Sequence, residues 1–322
     1  MNAVSLTPDM PLRFTRRTQI ADGIHEFDFR HPDGEDLPPF TAGAHIQMRV
    51  PNGLIRKYSL CNDPAEHSRY VIAAKRELEG RGGSISLIDE AREGQTCLSS
   101  TPANDFVLAP NAQHFVFIAG GIGITPILSM IRHVRTIGGK QFKLYYCTRS
   151  PEATAYLEEL RSPDLKGSVS IHHDGGDSAR AFDLWPVVEE RKNRAHLYCC
   201  GPSALMYAVR DMTGHWSSTA VHFEAFSEPE RTKPDDKPFT VTLAKSGEVI
   251  EVPVGVTILE ALRARGHEVP SSCESGTCGT CRTKLLEGQA DHRDLVLTEQ
   301  ERSSQIMICV SRARTPNITI DR

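Results

Sequence analysis

The sequence predicts a multidomain chain: an antiparallel β-barrel or sandwich, then a doubly wound α/β domain, then a small α+β module. Three observations carry this. Short alternating segments run from Leu12 to about Leu108, strand and helix patterns alternate from His114 to about Phe223, and a polar stretch precedes a hairpin–helix pattern that begins at Pro238. The expected domains are 1–110, 111–226 and 238–322, with a linker at 227–237.

In the first segment, Ile24–Phe29 and His45–Val50 alternate apolar and polar residues, and turns such as Pro51-Asn52-Gly53 and Asn62-Asp63-Pro64 separate the strands. Several short strands at this spacing argue for an all-antiparallel architecture. In the second, Phe115–Ile118, Phe142–Cys147, Val169–His172 and Leu197–Cys200 are apolar strand candidates, with helices expected over Pro126–Val134, Glu152–Leu160 and Ala181–Arg191. That alternation is the pattern of a parallel sheet covered on both faces. Ser227–Lys237 is charged and contains two prolines, as a linker does. Phe239–Leu243 and Glu248–Val252 flank a turn at Ser246-Gly247, and a helix follows over Thr257–Arg265, with Thr257 and Glu260 in the positions of a capping box.

At 322 residues with a net charge of −4, 39% apolar and 24% charged residues, the chain has the composition of a globular protein with no general attraction for nucleic acid or anionic lipid. No apolar run reaches the roughly 20 residues of a membrane-spanning helix, and Met1–Ser5 does not read as a signal peptide. A cytoplasmic location is the default expectation. Nine cysteines, an odd number, do not suggest a disulfide framework. Cys61, Cys97, Cys147, Cys199 and Cys200 lie in apolar surroundings, and most read as buried inert thiols.

Cys273, Cys278, Cys281 and Cys309 are different. Their C-x4-C-x2-C…C spacing is the plant-type [2Fe–2S] arrangement, in which one tight loop supplies three thiolates and a distant segment the fourth. Gly276 and Gly279 let the loop curl and aim N–H groups at sulfur. Cys309 lies in Ile306–Val310, which reads as a buried strand. A structural zinc site is the competing reading, but zinc ribbons favour two C-x2-C pairs and this chain has one.

Two further groups of residues point to nucleotides. Arg56-Lys57-Tyr58-Ser59 pairs a phosphate-binding guanidinium with an aromatic ring and a hydroxyl able to reach a flavin ring. Lys75, then Arg81-Gly82-Gly83-Ser84, reads as a phosphate nest at a helix start. Ala119-Gly120-Gly121-Ile122-Gly123-Ile124-Thr125-Pro126 follows a strand and opens a helix, which suits a pyrophosphate though it is not G-x-G-x-x-G. Cys200-Gly201-Pro202 ends a later strand. His172-His173 tempts a metal reading, but neighbours on a strand face opposite ways.

Together these motifs resemble the phthalate dioxygenase reductase family over nearly the whole chain. Pro270–Gly279 resembles its ferredoxin module, Arg56–Ser59 its flavin signature, and Gly120–Pro126 with Cys200–Pro202 its nucleotide loops. The resemblance implies a flavin barrel, a Rossmann-like nucleotide domain and a β-grasp ferredoxin module, with FMN, NADH and a [2Fe–2S] cluster as cofactors. It places Cys200 beside nicotinamide C4 and Phe226, in His222–Phe226, beside the flavin ring. Ser59, Thr125, Cys200 and Glu224 are the candidates for shaping hydride transfer. The implied acceptor is a Rieske-type oxygenase acting on phthalate or a related aromatic carboxylate. Alternatives are the reductase of another oxygenase or demethylase, a flavin monooxygenase, and a zinc-stabilised binding module without enzymatic activity. FMN is expected over FAD because the nest at Arg81–Ser84 ends the site with no adenine platform in view. NADH rests on the resemblance, since Arg149-Ser150 stands where an acidic residue would hold an NADH ribose and leaves NADPH open.

Overall fold

The computed structural model describes residues 8–226 and 232–322, so Ser227–Arg231 of the expected linker lie outside the described residues. The chain divides between Thr213 and Gly214 into two compact units.

The larger unit begins with β1 (Met10–Ala21), β2 (Ile24–Arg30), β3 (His45–Arg49), β4 (Ile55–Ser59), β5 (Tyr70–Lys75), α1 (Gly83–Glu90) and β6 (Thr96–Ser99). The strands form one antiparallel sheet in the order β4-β3-β6-β1-β2-β5. A bridge from Leu60 to Ile72, with Cys61 N–H donating to the Val71 carbonyl at 2.7 Å, joins the first strand to the last and closes a barrel. Closure removes the exposed edges of an open sheet. Leu12, Phe14, Phe27, Phe29, Ile46, Met48 and Ile72 fill its interior.

The same unit continues with β7 (His114–Gly120), α2 (Ile124–Ile137), β8 (Gln141–Thr148), α3 (Leu157–Leu160), β9 (Val169–His173), α4 (Trp185–Val188), β10 (Ala195–Cys200) and α5 (Ser203–Met212). The parallel pairings run β10-β7-β8-β9. The chain thus steps from β7 outward to β9, then returns to the other side of β7, so the strand order reverses at the β7/β10 crevice. Two expected helices are shorter than their sequence patterns suggested. Before α3, Tyr156 is left-handed at φ 59°, which confines the helix to Leu157–Leu160. Before α4, the Asp183 carboxylate takes the Trp185 N–H at 3.1 Å and Pro186 stands in the first turn, so that helix begins only there.

Barrel and parallel sheet share one core. Cys61, Val71, Ala73 and Phe106 pack with Phe117, Ile127, Met130 and Tyr198. Gly43 marks the tightest approach: a Cβ there would lie 2.3 Å from the Phe106 carbonyl oxygen and 2.8 Å from Met130 Cε of α2.

The smaller unit contains β11 (Val221–Glu224), β12 (Phe239–Leu243), β13 (Val249–Val252), α6 (Ile258–Ala264), β14 (Arg282–Glu287), β15 (Ala290–Asp291), α7 (Glu299–Arg302), β16 (Gln305–Met307), β17 (Arg312–Ala313) and β18 (Asn317–Ile320). Its main sheet, β13-β12-β18-β14-β16, pairs β12 with β18 in parallel and its other neighbours antiparallel, as a β-grasp does. The expected capping box is present: Thr257 Oγ1 accepts from Glu260 N–H at 3.1 Å, and the Glu260 carboxylate takes the Thr257 N–H at 2.9 Å. Cys309 does not lie in a strand. The chain turns after Met307, whose carbonyl accepts the N–H of Ser311 at 3.0 Å.

Gly43→Ala and Gly53→Ala separate packing from backbone strain. Both glycines have positive φ, but a Cβ at Gly53 meets nothing within 4 Å. The Gly53 variant should lose about 1 kcal/mol and the Gly43 variant about 1–3 kcal/mol more, measured by urea unfolding.

Candidate functional site

The clearest cradle lies on the barrel. β4 carries Arg56, Tyr58 and Ser59, while β5 ends at Lys75, whose ammonium is 3.4 Å from Glu77. Gly82 is left-handed at φ 78° and starts α1. A Cβ at Gly83 would lie 2.6 Å from Arg56 Nε, so the guanidinium rests against the helix N-terminus because that position has no side chain. Arg56 also donates to the Arg81 carbonyl at 3.4 Å, and Ser84 Oγ accepts the Glu77 N–H at 3.2 Å. A cation set against free helical N–H groups suits a phosphate.

Two buried hydroxyls give the cradle a direction. Tyr58 Oη and Ser59 Oγ have no hydrogen-bond partner among the described residues. Burial pushes the Tyr58 hydroxyl up to about 12, so it remains a neutral donor. Unsatisfied buried hydroxyls are costly, and their place beside a phosphate cradle fits a flavin whose ring supplies the missing partners. His45 stands opposite Ser59 in the β3/β4 pair with Nε2 likewise unpartnered. Burial first, and then the charge of Lys57, lower its pKa to about 4, so its ring is neutral at pH 7. Nothing in the sequence pattern singled out His45. Asn52, read there only as a turn residue, supports the phosphate loop by donating from Nδ2 to the Gly82 carbonyl at 3.3 Å.

A second concavity forms where the strand order reverses, the position at which doubly wound sheets bind ligands. Gly120–Pro126 and Cys200–Pro202 meet there, at the carboxyl ends of β7 and β10. The glycines do different work than expected. A Cβ at Gly123 would lie 2.1 Å from the Cys200 carbonyl oxygen, one at Gly120 2.6 Å from Pro202, and one at Gly201 2.9 Å from Gly120. These three glycines let the two loops interlock. Gly121, at φ 53° with nothing within 4 Å, is the one that faces open space and permits close approach of a ligand. Thr125 is buried and its Oγ1 donates to the Ile122 carbonyl at 3.0 Å, fixing the loop. The Cys200 side chain is fully buried. Arg149 is exposed at the end of β8, its Cδ 3.8 Å from where a Gly176 Cβ would stand. His172 and His173 turn apart, to the Arg180 carbonyl and to Thr148 Oγ1 respectively. Glu224 ends β11 and Phe226 is exposed; both belong to the smaller unit.

In the smaller unit the four expected cysteines come together as two pairs. Cys278 lies beside Cys273, its N–H reaching Cys273 Sγ at 3.3 Å, and Cys281 and Cys309 are buried in one core cluster. Among the described residues no three metal-binding side chains converge as a single ion requires. Two thiol pairs suit two irons with two thiolates each. The N–H groups of Ser275, Thr277 and Cys278 approach Cys273 Sγ at 3.5, 3.4 and 3.3 Å. Gly276 and Gly279 are left-handed as expected, with φ 75° and 84°. At Gly276 a Cβ would also strike Val310 at 2.8 Å.

The sequence did not single out the support beneath this loop. Leu295 N–H donates to the Gly276 carbonyl at 3.0 Å, and the buried Asp294 carboxylate accepts from Val296 and Leu297. The neighbouring Arg293 is buried between Asp236 and Asp291. No short-range motif marks such pairs, because Asp236 is 57 residues from Arg293. Four other cysteines are held as thiols: burial pushes Cys61 and Cys97 up to about 12 and Cys147 to about 11, and raises Cys199 further.

Comparison with known proteins agrees with this geometry. Residues 241–314 match the 2Fe–2S iron–sulfur cluster binding domain, and residues 117–174 the oxidoreductase NAD-binding domain. The chain is 53% identical over 310 residues to the phthalate 4,5-dioxygenase oxygenase reductase subunit of Pseudomonas putida, covering 96% of each. It is 52% identical to the phthalate dioxygenase reductase of Burkholderia cepacia, again covering 96% of each. A solved phthalate dioxygenase reductase, described as a modular structure for electron transfer from pyridine nucleotides to [2Fe–2S], matches at a TM-score of 0.70 and 51% identity, over 97% of this chain and 98% of that one.

Replacing any one of Cys273, Cys278, Cys281 or Cys309 with Ala should eliminate the cluster. Iron and acid-labile sulfide analysis should fall from about two irons per chain to near none. Retention of the full content by Cys309→Ala would remove that residue from the ligand set.

Proposed function

The chain belongs to the phthalate dioxygenase reductase family, and we propose that it carries electrons from NADH through FMN and a [2Fe–2S] cluster to a Rieske-type oxygenase acting on phthalate or a related aromatic carboxylate. The observation that carries the flavin step is the pair of buried, unpartnered hydroxyls, Tyr58 Oη and Ser59 Oγ, beside the Arg56–Gly83 cradle. When bound, the flavin accepts a hydride as a pair of electrons and the cluster passes electrons singly.

The protein's part is to bind and to place. Arg56 and the α1 N-terminus hold the flavin phosphate, with Lys75, Arg81 and Ser84 around it. Tyr58 packs on the ring system and Ser59 offers a hydroxyl to it. The Gly121 turn admits the nucleotide pyrophosphate, Pro126 and Thr125 fix the start of α2, and Cys200 and Gly201 form the opposite wall. Because these are placing roles, no side chain has to act as a general acid or base.

FMN is favoured over FAD because the phosphate cradle ends in α1, with no aromatic shelf for an adenine beyond it. NADH is favoured over NADPH by the family resemblance, and exposed Arg149 is the candidate for accepting a 2′-phosphate and weakening that preference. For the acceptor, a plant-type cluster near about −400 mV lies below Rieske centres at about −150 to +300 mV, so transfer is downhill.

Three measurements test the proposal. Mass analysis of the released flavin should return FMN, and FAD as the main species would refute that assignment. Arg56→Ala should weaken flavin binding by about 1.5–3 kcal/mol, the cost of losing a charged hydrogen bond, in a titration of the apoprotein. Anaerobic mixing with NADH and a phthalate-class Rieske oxygenase should bleach the Rieske centre. If that centre stays oxidised while another oxygenase is reduced, the Rieske assignment fails and the reductase chemistry stands.

A further inference from the structure

We infer that Ser129 and Arg132, on the helix that the nucleotide loop opens, are positioning residues that hold the nicotinamide end of the site against the flavin-bearing strand. The inference rests on the functional reading above and adds to it residues outside the cofactor motifs.

Thr125, Ser129, Arg132 and Thr136 stand at i, i+4, i+7 and i+11 of α2 and form one stripe on its surface. The last three all bind the chain just after β4. Ser129 Oγ, fully buried, donates to the Asn62 carbonyl at 2.8 Å. Arg132 Nη1 donates to the Cys61 carbonyl at 2.8 Å. Thr136 Oγ1 donates to the Asp63 carboxylate. Two successive backbone carbonyls are therefore satisfied by one helix face, and buried carbonyls rarely go without a partner.

The anchor is stiff on both sides. Arg132 is itself held by Glu159 of α3, Nε to Oε1 at 2.9 Å, and its guanidinium lies over the Tyr156 ring, 5.6 Å from the centroid. Asn62 is fixed by its own side chain, which accepts from Val71 N–H and donates to the Arg69 carbonyl, each at 3.0 Å. From this anchor, Thr125 is one helical turn back from Ser129, about 6 Å along the axis. Ser59 is two residues back from Cys61, about 7 Å along the strand. The helix spans the first distance, and the end of β4 with the Leu60–Ile72 bridge spans the second, so a shift at the anchor passes to Thr125 and to Ser59, two of the four candidate hydride-transfer residues.

A misplacement of about 1 Å between reacting groups can cost roughly 100-fold in rate. Arg132→Met removes the donor while keeping most of the side-chain bulk. In the FMN-loaded protein it should slow NADH-driven flavin reduction about 10- to 100-fold and weaken the long-wavelength charge-transfer absorbance of the NADH–flavin complex. The Kd for ADP-ribose, which lacks the nicotinamide, should stay unchanged. Photochemical reduction of the flavin should still fill the cluster at the wild-type rate. Ser129→Ala should show a smaller loss of the same kind, Arg132→Lys should recover part of it, and Arg135→Gln, on the exposed face of the helix, should behave as wild type.

Wild-type rates of flavin reduction in a folded Arg132→Met would overturn the inference. So would an ADP-ribose Kd that rises by the same factor as the rate falls, since the residue would then merely support the loop. If Arg132→Met does not fold, Ser129→Ala decides by the same readouts. Failure of NADH to reduce the flavin of the wild-type protein would refute the functional reading itself, whereas an intact wild type with silent variants refutes only the role of Ser129 and Arg132.

Discussion

The packing of α2 onto the barrel is the contact on which the larger unit depends. Gly43 lacks a Cβ because the Phe106 backbone and the Met130 methyl occupy that space. Around this point the barrel and the parallel sheet share one apolar core, with Cys61 and Val71 from one side and Ile127 and Met130 from the other. Within that core, the carbonyls of Cys61 and Asn62 find their donors on α2. The barrel supplies the flavin cradle and α2 supplies the nucleotide loop. Their fixed relation converts two binding sites into one site for hydride transfer, since a hydride moves only between atoms held near contact.

The same economy appears at the loops. Gly120, Gly123 and Gly201 permit two loops to interlock, which leaves Gly121 facing open space. On the barrel, Gly83 permits a guanidinium to sit on a helix N-terminus. In the smaller unit, Gly276 brings its backbone against Val310 and Asp294. In each case a missing side chain sets the distance between chemical groups. The cysteines add a constraint of their own: Cys278 lies against Cys273 and Cys281 shares a buried cluster with Cys309, an arrangement that fits two metal ions.

Much of this was legible in the sequence because the responsible signals are local. C-x4-C-x2-C fixes three ligands within nine residues, and Thr257 with Glu260 marks a helix start at a spacing of three. Strand periodicity located β7 to β10 to within about two residues of the observed ends, apart from the helices between them. Two of those helices, α3 and α4, were overextended; for α3, helix-forming residues such as Glu158 and Glu159 followed a segment whose backbone, at Tyr156, turns left-handed. Cys309 was placed in a strand because Ile306–Val310 is uniformly apolar, and burial in a turn looks the same in sequence as burial in a strand. Long-range partners left no signal at all. Ser129 and Arg132 read as ordinary helix residues until their carbonyl partners on the barrel, 67 and 71 residues away, are seen. Asn52 reads only as a turn residue and His45 only as the start of an alternating strand, and neither signal points to the site.

The central claim is the order of the electron path, nicotinamide to flavin to cluster, as in the family to which the chain belongs. The most direct test is to strip the flavin, leave the cluster in place, add NADH anaerobically, and record the electron paramagnetic resonance signal of the reduced cluster before and after FMN is restored. The account predicts no signal without flavin and a full one once FMN is returned. A cluster reduced by NADH in the flavin-free protein would contradict it.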